Sequence, residues 1–148
     1  MQDGIKVKGE WLFWLDGKLV YQGENLVTQS GLNYQAGLFV GEVPADVPIH
    51  LAMGTGTNKA LLTDTKLQTE GFRKAISSKA RQDNQVRVRT FLLAIEANSE
   101  WTEFGLFFSG TDMPDSGQLF DRIVNPAGIR KFQNQTLTVE VRVSFVAG

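Results

Sequence analysis

The cleanest alternation of apolar and polar positions lies near the C-terminal end. Leu137, Val139, Val141, Val143 and Phe145 interleave there with Thr136, Thr138, Glu140, Arg142 and Ser144. A sustained period of two predicts a strand with one face in the core and the other in water. Residues 9–23 carry the clearest hairpin signal, because Asp16-Gly17 separates two runs of β-favouring residues and suits a two-residue turn with positive φ. With that loop, Leu15 faces Lys18, Trp14 faces Leu19 and Phe13 faces Val20. One face then holds Trp11, Phe13, Leu15 and Val20, and the other holds Leu12, Trp14, Leu19 and Tyr21. Both faces are apolar, unlike a hairpin with one wet side. Either the hairpin is central in a sandwich or one face meets another chain. Trp11, Leu12, Phe13, Trp14, Leu19 and Tyr21 are the candidate interface.

Residues 25–40 predict a turn leading into the only helix. Thr28 or Ser30 caps it, and Leu32, Ala36 and Phe39 form the stripe that lies on the sheet. The helix ends near Gly41, and Pro44 and Pro48 bound a loop. The apolar run 49–53 predicts a buried strand, broken by Gly54-Thr55-Gly56-Thr57, with Thr63-Asp64-Thr65 as a turn or cap. Strands are expected at 73–80 and 86–95 around a turn at 82–85. Others are expected at 101–108, with Gly105 as a bulge or close approach, and at 118–124, with 109–117 as a loop and 125–128 as a turn. The whole reads as mainly β: an antiparallel β-sandwich with one short α-helix and an N-terminal β-hairpin. Residues 1–24 read as a hairpin extension packed on or docking beside a sandwich core of residues 25–148, within a single domain.

The chain has 148 residues, enough for one domain with a real core. Its formal net charge of -1 gives no overall electrostatic case for nucleic acid or an anionic membrane. No apolar run approaches the roughly 20 residues of a membrane helix, and the N-terminal Met-Gln-Asp-Gly lacks the pattern of a signal peptide. The absence of cysteine excludes disulfides, thiol nucleophiles and thiolate metal sites. The single histidine, His50, alternates with Ile49 and Leu51, so it points away from them towards solvent or a neighbour. No Gly-x-Ser-x-Gly elbow accompanies it.

The Gly54–Thr57 segment raises the question of phosphate binding. Gly56 is followed by Thr57 and Asn58, so the lysine of a Walker loop is missing, and Lys59 stands where a dinucleotide fingerprint needs glycine. Arg73, Lys74, Lys79, Arg81, Arg87 and Arg89 make one predicted hairpin locally basic, with few aromatics interleaved for base stacking. A solvated outer face is the expectation. Glu96, Glu100, Glu103, Asp112, Asp115 and Asp121 fall around loops in no catalytic or calcium-binding spacing, and exposed acids are expected there. No catalytic residue, cofactor or metal is assigned.

Several segments in one order carry a resemblance. They are Asn25-Leu-Val-Thr-Gln-Ser-Gly-Leu-Asn-Tyr, Leu51-Ala-Met-Gly-Thr-Gly-Thr and Asp64-Thr-Lys-Leu-Gln-Thr-Glu-Gly-Phe-Arg. Glu96-Ala-Asn with Thr102-Glu-Phe-Gly-Leu-Phe, Leu119-Phe-Asp-Arg-Ile-Val and the alternating last strand complete the series. Together, over residues 25–146, they resemble small structural proteins of tailed-bacteriophage virions, of tail, tail-fibre or head-decorating type. The resemblance implies a non-enzymatic virion component, assembled in the host cytoplasm and homo-oligomeric, whose partners are other tail, baseplate or capsid proteins. It leaves tail and capsid open, and transfers no catalytic residue. A host-receptor or carbohydrate-binding role is the third reading, with Trp101 and Tyr34 as the exposed aromatics that would contact a host surface glycan.

Overall fold

In the computed structural model, which describes residues 4–148, eleven elements follow one another. They are β1 (Ile5–Leu15), β2 (Lys18–Glu24), β3 (Leu26–Val27), α1 (Gln29–Val40), β4 (Ile49–Gly54), β5 (Glu70–Ala75), β6 (Ser78–Gln82), β7 (Gln85–Leu92), β8 (Glu100–Phe108), β9 (Gln118–Arg130) and β10 (Leu137–Ala147). The strands form two five-stranded antiparallel sheets. Sheet A has the order β2-β1-β10-β7-β6 and sheet B the order β3-β9-β8-β4-β5. The mainly β sandwich with one helix is therefore the observed architecture.

The Asp16-Gly17 turn forms with φ of +48° and +80° at its two residues, the positive pair that matches strand twist. Leu15 pairs with Lys18 and Trp14 with Leu19 as expected, but Phe13 pairs with Tyr21 across a bulge. The extra residue, Val20, is left exposed, and Tyr21 takes its place against the Phe13 ring at 5.8 Å. The hairpin is not an extension beside a core of residues 25–148. β1 is an interior strand of sheet A, paired on both sides by β2 and β10, and Trp11 and Phe13 are completely buried in the shared core. Phe13 and Phe104 pack at 4.6 Å and Trp11 and Phe104 at 6.3 Å, so rings of β1 and β8 tie the two sheets together.

The inward set of β10 is the alternating one, with Leu137, Val139, Val141 and Val143 all buried in that core. Its outward face is not uniformly wet, because Glu140 is buried too. The supposed 73–80 strand is two strands in two sheets. β5 belongs to sheet B and β6 to sheet A, with the crossing at Ile76-Ser77. The basic residues expected on one hairpin are thus divided between sheets. The 125–128 segment is no turn between strands but an irregularity within β9, where the register jumps from Glu103–Val124 to Trp101–Ile129. Four residues loop out there, and Gly128 adopts φ of +80°.

Thr28 caps α1 by accepting a hydrogen bond from the Gly31 amide at 3.0 Å, and Gly41 closes it in the left-handed region with φ of +79°. The buried stripe is Gly31, Tyr34 and Gly37, not Leu32, Ala36 and Phe39. A Cβ on Gly31 would stand 2.3 Å from the Phe120 carbonyl oxygen, so the glycine lets the helix lie directly on the β9 backbone. The apolar residues at helical spacing are turned outward in consequence, and Phe39 is 94% exposed.

Candidate functional site

The outer face of sheet B is sealed by two loops, each fixed by buried charge. Residues 55–69 wrap around the carboxylate of Glu103, which stands on β8 and is fully buried. Its Oε2 accepts from the amides of Gly56 and Thr69, both at 2.7 Å, and its Oε1 accepts from the Gln68 amide at 2.8 Å. The Arg122 guanidinium completes the shell, donating Nε and Nη2 to Oε1 at 3.1 and 3.0 Å. Its Nη1 donates to Asp64 at 3.1 Å, and Asp64 in turn accepts from the Leu61 amide. A cluster of backbone amides around an anion is the physics of a phosphate-binding loop. Here the Gly56 amide is taken up by the chain's own carboxylate, while Thr55 donates to the Thr69 carbonyl and Thr57 to the Gln68 side chain. Leu67 closes the loop over Ala52, Phe107 and Leu119.

The second loop, residues 109–117, is held by Arg73. Its guanidinium forms a two-pronged pair with Glu70, both contacts at 2.9 Å, and lies 4.3 Å above the Phe107 ring. Nη1 donates to the Ser116 carbonyl and hydroxyl at 2.8 and 2.7 Å and to the Thr111 carbonyl at 3.1 Å. Glu70 also accepts from the Asp115 amide at 3.0 Å. His50 lies in the same region, buried as a side chain of β4. Its Nε2 is 3.6 Å from the exposed Asp112 carboxylate, and its Nδ1 has no hydrogen-bond partner. The ring is thus turned away from solvent towards a neighbour, the Asp112 carboxylate.

Two acids expected to be exposed, Glu103 and Asp121, are therefore buried strand residues. The second, Asp121, is buried between the sheets, where it accepts from Trp11 Nε1 at 3.2 Å, Asn25 Nδ2 at 2.5 Å and the Leu106 amide at 3.1 Å. Burial pushes its carboxyl up to about 7 despite those three donors. Glu140 behaves otherwise. Burial works to raise it, but Arg89 and Arg142 hold it below the usual range through hydrogen bonds at 2.7 and 2.5 Å.

Both aromatic residues assigned to receptor contact are interior. Trp101 is 6% exposed, donates Nε1 to the Ala97 carbonyl at 2.9 Å and packs 6.4 Å from Phe72. Tyr34 is buried, its ring edge-on to Phe108 at 5.1 Å and its hydroxyl 3.0 Å from Ser109 Oγ. A groove of about 590 Å³ passes beside Tyr34 between α1 and residues 62–65, lined by the amides and hydroxyls of Gln29, Asn33 and Thr63. With neither ring face free, Tyr34 offers no platform on which a sugar could stack.

The candidate interface residues divide by face. Trp11 and Phe13 are core, and Tyr21 packs on Phe13. Leu12, Trp14 and Leu19 lie on the outer face of sheet A, where Leu12 is buried beneath its neighbours, Trp14 is half-buried and Leu19 is exposed. A second apolar surface escaped the sequence reading, because its core is the helix stripe expected on the sheet: Leu32, Ala36 and Phe39, joined by Val40 and by exposed Leu61 and Leu62 in the segment that bonds the start of α1. Among the described residues, no group of three or more acidic or imidazole side chains is placed to hold a metal ion. Among the described residues, no helix is long and apolar enough to cross a membrane. Comparison with protein families, curated proteins and solved structures finds no match.

Proposed function

We propose that this chain is a non-enzymatic structural component of a tailed-bacteriophage virion, a tail, baseplate or tail-fibre protein that acts through protein–protein assembly. The observation that carries the reading is the solvent-facing apolar stripe of α1, in which Phe39 is 94% exposed and Val40 66% exposed. A stripe at i, i+4, i+7 and i+8 on a helix without a single charged residue costs solubility unless a partner covers it. The buried charges support the same reading. Glu103, Arg122, Arg73 and Glu70 are engaged in fastening loops, which makes a rigid surface for docking. The phage context rests on the order of segments that resembles small virion structural proteins. The glycan-binding alternative loses the two aromatic residues that recommended it, since Trp101 and Tyr34 are buried.

Immunogold labelling of intact virions tests the proposal. Label on the tail or its tip supports a tail or baseplate part, and label over the head reassigns the protein to capsid decoration. Virions that carry no label overturn the proposal.

A further inference from the structure

The outer face of sheet A carries the charge pattern of a surface made to meet a copy of itself. Strand register places the outward side chains in rows across β2, β1, β10 and β7. Leu19, Trp14, Thr138 and Phe91 form one row. Two rows away stand Glu24, Glu10, Arg142 and Arg87, in the same strand order. The β2/β1 half of that row is acidic and the β10/β7 half is basic. The row between reinforces the division, because its one carboxylate, Glu140, is shared by two guanidiniums, Arg89 and Arg142. That leaves an excess of positive charge on the β10/β7 side. The outermost strand, β6, contributes only Ser78, Ala80 and Gln82 to this face.

We infer that this face is a homodimer interface, occupied by the same face of a second copy about a two-fold axis that runs along the strands between β1 and β10. Such an axis exchanges β1 with β10 and β2 with β7 while keeping each row in place, as an isologous contact requires. Glu10 then meets Arg142 of the second copy, Glu24 meets Arg87, Leu19 meets Phe91 and Trp14 meets Thr138. Lys8, one pair beyond Glu10, meets Ser144, so no like charges are opposed. Arg89 already lies 5.9 Å from the Trp14 ring, which gathers cation and aromatic surface at the centre of the contact. Four strands at about 5 Å spacing and about 25 Å of shared length give about 500 Å² per copy, or about 1,000 Å² in total, the lower bound of a specific interface. The inference goes beyond the virion reading and stands without it.

Light scattering and sedimentation equilibrium of the full chain at roughly 100 μM read the outcome directly. A mass of twice 16.4 kDa is expected, with dissociation promoted by added salt. Glu24 and Arg87 are both exposed, and Arg87 bonds only its neighbour Gln85, so their reversal leaves the fold intact. Glu24→Arg alone opposes two guanidiniums, Arg87→Glu alone opposes two carboxylates, and each weakens the dimer about tenfold or more. The double reversal restores it. The chain has no cysteine, so Leu19→Cys combined with Phe91→Cys introduces the only two thiols. Within one copy they are three strand spacings apart, about 14 Å, beyond the reach of a disulfide. Oxidation therefore yields a covalent dimer only if the two faces meet. A monomer at this concentration overturns the inference, as does a dimer indifferent to either single reversal. Covalent dimer formation no faster than that of Leu19→Cys alone overturns it too.

Discussion

Asp121 hangs from β9 into the space between the sheets, and its hydrogen bond to Trp11 joins sheet B to sheet A. Its carboxyl titrates at about 7 in the fold and near 3.8 in the unfolded chain. Between those values the native state keeps a proton that the unfolded state has lost, so stability is highest at the acid end and falls as pH rises through the window. The fall is up to about 4 kcal/mol and levels off above pH of about 7. Glu140 works in the opposite sense at lower pH, since its carboxyl is held down in the fold. Replacing Asp121 with Asn removes the proton exchange, and midpoints of urea unfolding from pH 4 to 8 should lose this downward slope. Glu103→Gln is the harsher change. It leaves Arg122 buried without its full counter-charge and turns an amide donor towards backbone amides. A loss of about 3–5 kcal/mol is expected, read by chemical denaturation, with faster amide exchange at Gly56 and Thr69. The sequence placed Glu103 and Asp121 within or beside strands but could not assign their partners. Glu103 bonds Gly56 across 47 positions and Asp121 bonds Trp11 across 110, and no local spacing rule spans such distances.

The helix shows which local properties are legible and which are not. Its ends follow from Thr28 and Gly41, whose capping chemistry concerns only neighbouring backbone. Its buried face depends on the β9 backbone, and periodicity alone chose the wrong side. Close approach selected Gly31 for the contact, and the larger residues were left outside. Two substitutions separate the faces. Gly31→Ala forces the helix off the Phe120 carbonyl and lowers stability by about 1–3 kcal/mol, seen as a reduced melting temperature. Phe39→Ser should leave the melting temperature unchanged, because a residue 94% exposed contributes little to the core, and on the proposed virion role it should reduce incorporation into particles. The strands were legible wherever alternation met a turn signal, as at Asp16-Gly17. They were not where the chain changes sheets at Ile76-Ser77, since alternation does not record which sheet a strand joins.

Taken whole, the sandwich closes only when β1 fills the gap between β2 and β10. A chain beginning at residue 25 lacks Trp11 and Phe13, exposes the inner edge of β10 and should not fold alone. Circular dichroism and amide dispersion of that fragment check this, and a cooperative melting transition would argue for an independent core. The same pairing of β1 with β10 runs to its limit at Ile5 and Ala147, and the Gly148 amide donates to the Gly4 carbonyl at 2.9 Å. Both ends of the described chain thus leave the molecule at one pole, far from the Asp16-Gly17 turn. A tag, a fusion partner or flanking polypeptide attached at either end emerges from that shared exit. The loops over sheet B are tethered independently of it, so the protein can be suspended by its termini without disturbing the surface it presents.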